Sequence, residues 1–228
     1  MNNVRELFPL QQFESHNREI FSIVKIPGKN MFVTGGLDNS IIFWSDDGAF
    51  LFRKRKLPNA VYILFANEMY VGAVCYDEIL VFDLEGTLIS QILFDKRIMS
   101  ASFIPFHDLI SVGLMSGELC IIDLNGDPLF FETIHESALN SISWVSNQDI
   151  NSQYGCIFST VGVDRRINIF SFLFEEIRKY VSIIKIGTID LKQFGIASVP
   201  KKLLFNSSAN SLILQTFKSE LFQFEFTK

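Results

Sequence analysis

The feature of this sequence that most limits its fold is an internal repeat with a period near 40 residues. A short apolar run, a few polar residues and a turn glycine recur three times, and Gly48, Gly86 and Gly126 lie at intervals of 38 and 40 residues. A fourth copy, Ile167–Ser171, and a weaker fifth, Ser211–Gln215, continue the pattern. The apolar runs are rich in Val, Ile and Phe, which favour strands. Units this small cannot bury an apolar face alone, so neighbouring units must stack.

Each unit divides into four short strands separated by turn residues. In the first unit the expected strands, from inner to outer, are Ile20–Val24, Met31–Thr34, Ser40–Trp44 and Phe50–Phe52. The intervening Pro27-Gly28 and Asp47-Gly48 pairs are typical of tight turns between strands. Four strands in each 40-residue unit predict an all-β propeller of about five four-stranded blades. The chain is interpreted as one propeller domain, 1–228, with units at 14–56, 57–95, 96–135, 136–186 and 187–228.

Two stretches of the fourth and fifth units interrupt this regularity. An insertion is expected around 147–155. The segment Leu173–Lys179 is the best helix candidate, and it could equally be a connector between blades that leads into Tyr180–Ile186.

One segment of the first unit links the repeat to a known family. The stretch Thr34–Ser45, Thr-Gly-Gly-Leu-Asp-Asn-Ser-Ile-Ile-Phe-Trp-Ser, resembles the end of a WD repeat. In that family a His, a Ser or Thr, an Asp and a Trp form a hydrogen-bonded set within each blade. The resemblance implies that this structural role falls to His16, Thr34, Asp38 and Trp44.

The other units match this pattern less completely. In the fourth unit His135, Thr160 and Asp164 occupy the family's positions, but Phe170 replaces the Trp, so the indole donor is lost. In the second unit Asp77 lies one place off, and in the third unit Ser116 stands where an Asp is expected. The fifth unit keeps only the strand pattern.

Three segments suggest a subfamily by resemblance. The turn Cys75–Glu78, the run Val112–Leu119 and the stretch Ser141–Trp144 with the loop after it resemble the first propeller of WD-repeat subunits of intraflagellar transport complex A. The resemblance implies a role in cilium assembly and retrograde transport, with a cytoplasmic location that extends to the cilium or flagellum and basal body. Coat, nuclear and ubiquitin-linked adaptor propellers share these motifs and stay open as alternatives.

Whether this chain closes its ring is left open by the sequence. Glu6–Phe13 resembles an outer strand without the rest of its blade, and rings of the WD type often close with such an N-terminal strand. However, Leu221–Phe226 is interpreted as the outer strand of the fifth unit, which would leave no place for it. Either the fifth unit is misread or a partner supplies the missing blade. A shortened relative or an incomplete gene product is the alternative to such a partner.

The chemistry of the chain favours a binding protein over an enzyme. No nucleophile, zinc, Walker or Gly-rich nucleotide motif occurs, so no cofactor, metal or catalytic residue is predicted, although a propeller enzyme stays as the third hypothesis. The net charge of −5 argues against nucleic acid as the main partner. No run approaches the roughly 20 apolar residues of a membrane helix. The three cysteines are isolated in apolar runs, which indicates reduced thiols in the cytoplasm. The expected partners are other protein subunits.

The candidate partner-binding residues are basic. The run Arg53, Lys54, Arg55 and Lys56 is interpreted either as a solvated outer strand and loop or as a patch for an acidic partner or anionic lipid headgroups. Arg165 and Arg166 lie in a turn that faces one end of a propeller, where a partner could bind.

Apolar residues offer a second candidate surface at the C-terminal end of the chain. Phe217, Phe222, Phe224 and Phe226 alternate there, and their face would mark a docking edge if the ring is open.

Overall fold

The computed structural model describes residues 16–145, 156–206 and 211–225. These residues form five antiparallel sheets, four of them with four strands and the last with three. In every sheet the strand order follows the chain order, so each sheet is a meander. The prediction of an all-β propeller with five blades is confirmed.

The strand bounds, blade by blade, are as follows. The first blade contains β1 (Ile20–Lys25), β2 (Met31–Gly36), β3 (Ser40–Ser45) and β4 (Phe50–Lys54). The second contains β5 (Ile63–Ala66), β6 (Tyr70–Val74), β7 (Glu78–Asp83) and β8 (Leu88–Leu93). The third contains β9 (Ile98–Phe103), β10 (Leu109–Leu114), β11 (Glu118–Asp123) and β12 (Pro128–Thr133). The fourth contains β13 (Leu139–Trp144), β14 (Cys156–Gly162), β15 (Arg166–Glu175) and β16 (Tyr180–Asp190). A short 3-10 helix (Leu191–Phe194) leads to the fifth, with β17 (Pro200–Asn206), β18 (Ser211–Thr216) and β19 (Leu221–Glu225).

The repeated turn glycines connect the third strand to the fourth in the first three blades. Gly48, Gly86 and Gly126 have φ of 84°, 78° and 92°, a left-handed conformation that glycine adopts without a steric penalty. The pairing of the two strands shifts register beside each of these turns. The 40-residue spacing of these glycines therefore reports one backbone turn that recurs in successive blades.

The core lies between neighbouring blades. The inner strands pack in sequence, β1 on β5, β5 on β9, β9 on β13 and β13 on β17. Four apolar clusters fill the four spaces, and each contains side chains from the facing sheets of two blades. Phe43 and Val61, for example, lie between the first and second blades and are fully buried. Because both sheet faces of an interior blade are covered, its middle strands are apolar on both faces rather than alternating.

The segment proposed as a helix or connector is instead part of a long hairpin. β15 continues to Glu175, which pairs with Tyr180 across a turn, and β16 runs on to Asp190. The fourth unit therefore extends past the expected boundary at 186. Strand pairing decides the outcome, because Phe172 and Phe174 lie opposite the strand formers Ile183 and Val181. The insertion expected at 147–155 lies outside the described residues.

The segment Leu221–Phe226 was interpreted as the outer strand of the fifth unit, and its described part forms β19, the outermost described strand of that sheet. β19 pairs with β18, which pairs with β17, so β19 is the third strand of the fifth blade. Third and fourth strands have the same alternation of side chains, and only the pairing partners distinguish them. The free edge of β19 pairs with no described strand. The N-terminal segment Glu6–Phe13, whose sequence resembles an outer strand, lies outside the described residues.

The described blades do not close into a complete ring. Of the inner strands, β17 and β1 share no packing comparable with that between successive blades. The outward-facing side of the first blade and that of the fifth blade therefore flank a space that the described blades leave unfilled.

The three cysteines form no disulfide with one another. Cys75 and Cys120 are buried and reduced, and Cys156 is free and half-buried. Within the described part of the chain no helix is long and apolar enough to cross a membrane.

Candidate functional site

Four polar side chains of the first blade form one hydrogen-bonded chain. The His16 ring lies 2.9 Å from Asp38 through Nδ1 and 2.9 Å from Thr34 Oγ1 through Nε2. The indole N–H of Trp44 donates to Thr34 Oγ1 at 2.9 Å. The pattern is satisfied when Nδ1–H donates to the carboxylate and Nε2 accepts from the threonine hydroxyl. These are the four residues that the WD resemblance implied.

The Asp38 carboxylate is held in its ionised form. Burial alone would raise its pKa, but hydrogen bonds from the Ser40 hydroxyl, the His16 ring and the Asn17 N–H outweigh this effect. Together they lower the pKa of Asp38 to about 2. A charge stabilised by three donors inside a turn anchors the turn and is not free for proton transfer.

The fourth blade carries the same arrangement without the indole. His135 Nδ1 lies 3.0 Å from Asp164, and Nε2 lies 2.9 Å from Thr160 Oγ1. Burial opposes ionisation of Asp164, but the interaction with His135 and the hydrogen bonds from the Arg166 and Glu136 N–H groups together outweigh it and lower the pKa of this carboxyl. Phe170 stacks on Phe158 in place of the tryptophan, with ring centroids 5.0 Å apart. The structure therefore brings together all three residues predicted for this blade.

The geometry of both sets fits a structural role. Each imidazole uses both nitrogens within its blade, and the His16 and His135 side chains are 1% and 0% exposed. Neither nitrogen is left for a substrate or a metal. Among residues 16–145, 156–206 and 211–225, no three His, Cys, Asp or Glu side chains are placed to hold a metal ion.

The second and third blades use a buried glutamate that sequence reasoning missed. Glu78 and Glu118 are 5% and 6% exposed and begin the third strands of their blades. Glu78 accepts from Gln91, and Glu118 accepts from Lys96 and Ser116. The sequence pattern could have indicated their burial, because each glutamate directly precedes an apolar run, at the position that Ser40 occupies in the first blade.

The basic run after Phe52 divides between two sides of the first blade. Lys54 lies opposite Ile41, and its side chain packs over Gly86 of the second blade. Arg53 lies opposite Ile42 and therefore points to the other side, toward the unfilled space. Arg53, Arg55 and Lys56 line a cavity of about 340 Å³ together with Asn17, Asp38, Asn39 and Ser40. The structure thus brings together three of the four predicted basic residues.

Arg165 and Arg166 are engaged within the protein. Arg166 forms an ion pair with Glu136 at 2.6 Å, and Arg165 donates to the Ala197 carbonyl at 3.3 Å. Arg165 has a φ of 66°, so it occupies a left-handed turn position. Both lie in the turn before β15, remote in sequence from the cavity at the first blade.

The first blade exposes apolar residues toward the unfilled space. Side chains directly opposite one another in an antiparallel pair share a face. Ile23 lies opposite Thr34, and Phe50 lies opposite Trp44, on the same side as Arg53. Ile23 is 66% exposed and Phe50 is 57% exposed. We call Ile23, Phe32, Phe50 and Arg53 the gap face of the first blade.

The fifth blade presents a matching surface. Leu204 lies opposite Ile213, and both point away from the cluster shared with the fourth blade. Leu221 is 72% exposed and Leu204 is 55% exposed. We call Leu204, Ile213 and Leu221 the gap face of the fifth blade.

The expected phenylalanine edge is different from this surface. Phe222 and Phe224 pack toward the fourth blade rather than the unfilled space, and Phe217 is exposed. The prediction that these three share one apolar face was therefore wrong, because Phe217 lies in the turn before β19 and outside its alternation. Phe226 lies outside the described residues.

Comparison with known proteins supports the fold and little beyond it. Residues 7–45 match the family described as WD domain, G-beta repeat. No curated protein matches the chain. A chain of the crystal structure titled "Crystal Structure of Mitotic Checkpoint Complex" is similar in fold, with a TM-score of 0.71 and 13% sequence identity. The alignment covers 91% of the present chain and 63% of that chain, so the present chain spans less than two thirds of its neighbour's length.

Proposed function

We propose that this chain, a β-propeller of the WD-repeat type, is a non-catalytic scaffold that binds other protein subunits in a multiprotein complex. The observation that carries the proposal is the pair of gap faces. Large side chains of these faces, among them Ile23, Phe50 and Leu204, are more than half exposed, and large apolar patches on soluble proteins mark interaction sites.

The exposed apolar residues of the gap faces lie in inner and outer strands, whereas Ile42 and Trp44, in the middle strand of the first blade on the same side as Arg53, are buried. Ile23, Leu204 and Leu221 are more than half exposed. Burying one side chain of this size contributes about 1.5–3 kcal/mol, so a protein that covers both faces gains substantial binding energy.

A partner that fills the space would complete the ring. The edge of β19, which pairs with no described strand, offers backbone donors and acceptors to an added strand, and strand addition to an open sheet edge is a common mode of protein recognition. The gap faces would then pack against the sides of the added segment. The partner is therefore expected to supply at least one extended segment with apolar side chains.

We place the complex, as a finer proposal, in intraflagellar transport at the cilium or flagellum and its basal body. Its support is the resemblance of three segments to subunits of intraflagellar transport complex A. A general adaptor in a coat, nuclear or ubiquitin-linked complex is the second candidate, favoured by the fold neighbour in a mitotic checkpoint assembly. A propeller enzyme is third, since the inner strands offer Ser22, Ser100 and Ser102 without an acidic or histidine cluster among the described residues.

The test is to tag the chain in its own cells and identify by mass spectrometry the proteins that co-purify with it. Recovery of subunits in constant proportion supports the scaffold, and their identity decides between a ciliary transport complex and another adaptor. Recovery of the chain alone, as a stable monomer, would contradict the scaffold proposal.

A further inference from the structure

We infer that the cavity beside the gap face of the first blade binds an acidic segment of a protein partner, through a carboxylate or a phosphorylated side chain. The inference rests on the proposed scaffold function and deepens it, because it names the chemistry that the partner presents to this face.

The first argument is an excess of unpaired positive charge. Arg53, Arg55 and Lys56 line the cavity, and none forms an ion pair with another described residue. The Arg53 Nε is buried and has no hydrogen-bond partner. A buried donor without a partner costs about 1–3 kcal/mol, which an acceptor entering the cavity would recover.

The second argument is that the one acid in the cavity does not neutralise these cations. Asp38 accepts hydrogen bonds from His16, Ser40 and the Asn17 N–H, and its side chain is 7% exposed. Its charge is directed into the blade and satisfied there. The wall formed by the two arginines and the lysine therefore keeps a net positive charge.

The third argument is that the cavity is preformed. The Leu57 N–H donates to the Asn39 carbonyl at 3.1 Å, and Asn39 Nδ2 donates to the Leu57 carbonyl at 3.3 Å. Asn39 and Lys56 both have positive φ, 53° and 61°. Left-handed positions in non-glycine residues occur where the surroundings enforce them, often at binding sites. Two hydrogen bonds thus hold the β2–β3 turn against the segment after β4, and less ordering is needed when a ligand binds.

The surroundings of the cavity favour a polypeptide over other anions. Arg53 shares its side of the sheet with Phe50 and Ile23, so the cation and exposed apolar side chains face the same space. A segment in which acidic and apolar residues are interspersed matches both. Nucleic acid is disfavoured by the net charge of −5, since phosphate contacts normally accompany a basic excess.

The experiment measures binding of a fluorescein-labelled peptide, Glu-Leu-Glu-Glu-Phe-Glu-Gly, to the full chain by fluorescence anisotropy, with a phosphoserine version as the second probe. The test variant is R55Q/K56Q. The control is K185Q/K192Q, which removes the same charge from two exposed lysines of β16 and the 3-10 helix, away from both gap faces. Removing two charge-assisted contacts should weaken binding by at least about tenfold in the test variant, whereas the control should stay within about twofold.

R53Q is a further variant, because it removes the unpartnered buried nitrogen. It should also weaken binding, by about tenfold. Circular dichroism melting of each variant shows that it is folded.

Three results would overturn the inference. The first is no binding of either peptide to the unaltered chain, and the second is equal weakening in the control, which would show unspecific charge attraction. The third is binding of phosphatidylserine vesicles without binding of the peptides, which would assign the cavity to lipid headgroups. If R55Q/K56Q weakens neither peptide binding nor the recovery of partners from cells, the cavity inference fails while the scaffold proposal stands.

Discussion

At the scale of single residues, the hydrogen-bonded chains of the first and fourth blades differ by one donor. Thr34 contacts both His16 and Trp44, whereas Thr160 contacts His135 and has a phenylalanine where the indole would be. Buried polar groups that lose a partner are costly, so the two blades should respond differently to the same substitution.

This difference predicts unequal effects of removing the two hydroxyls. Thr34→Val removes the acceptor of the Trp44 N–H and the partner of His16, and we expect a loss of about 2 kcal/mol in the free energy of unfolding. Thr160→Val removes one partner and should cost about 1 kcal/mol. Urea unfolding of the two variants measures the difference. Equal losses would show that the Trp44–Thr34 bond contributes nothing to stability.

The pKa of Asp38 predicts a pH dependence of stability. Its folded pKa of about 2 lies below the ordinary value of 3.8. A carboxyl with a lowered folded pKa stabilises the protein above its unfolded pKa, and the contribution is lost as the pH falls through the folded pKa. We expect the advantage of the unaltered chain over Asp38→Asn to shrink by about 2 kcal/mol between about pH 5 and pH 2.

Asp108→Asn is the control for this titration. Asp108 is exposed in a turn, and its side chain accepts no hydrogen bond from described residues. Its effect on stability should be small. A flat difference for Asp38→Asn would mean that the carboxylate is not held by its three donors.

At the scale of strands and turns, close approach to neighbouring backbone decides where glycine is required. Gly117, in the turn between β10 and β11, has a φ of 96°, and a Cβ there would lie 2.2 Å from the His135 carbonyl oxygen. Its own carbonyl accepts from the Ile134 and His135 N–H groups at 3.1 Å. This turn therefore joins the third blade to the polar chain of the fourth.

Gly195 is a matched control for this turn. It has a φ of 72° but nothing within 4 Å of an added Cβ. Gly195→Ala should cost about 1–2 kcal/mol of backbone strain alone. Gly117→Ala should cost at least about 3 kcal/mol, because the clash adds to the strain. Thermal unfolding of both variants tests this, and similar melting temperatures would mean that the turn relaxes without cost.

At the scale of the whole molecule, the five described blades enclose four buried spaces, and the gap faces of the first and fifth blades carry exposed apolar side chains. Substitutions in these faces should affect binding rather than folding, because exposed side chains contribute little to the stability of the isolated chain. Substitutions in the gap faces therefore test the proposed scaffold function without testing the fold.

We therefore expect Ile23→Asp and Leu204→Asp to leave the unfolding free energy within about 0.5 kcal/mol of that of the unaltered chain. Both should reduce the recovery of co-purifying subunits at least about tenfold, since each places a charge in an apolar contact. Ile177→Asp is the control, because Ile177 is 96% exposed at the tip of the hairpin between β15 and β16. Undiminished recovery with the gap-face variants would place the partner elsewhere.

The local pattern of this sequence was sufficient for the fold class, and its resemblance to a WD repeat implied the polar chains. Strand formers, turn glycines at a 40-residue period and a Thr-x-x-x-Asp spacing are properties of neighbouring residues, and the local backbone geometry follows from them. The geometry around His16 and His135 was implied by the resemblance to a WD repeat, and it could be carried over because each set lies within one repeat.

The pairing of strands and the two sides of each sheet were decided only by the tertiary structure. Alternation is the same in a third strand and a fourth, so β19 could not be assigned until its partners were known. Likewise, Lys54 and Arg53 are neighbours in the chain, but Lys54 covers Gly86 of the second blade and Arg53 points to the unfilled space. Which side of a blade is covered depends on how the neighbouring blade packs against it, and the alternation within a strand does not specify that packing.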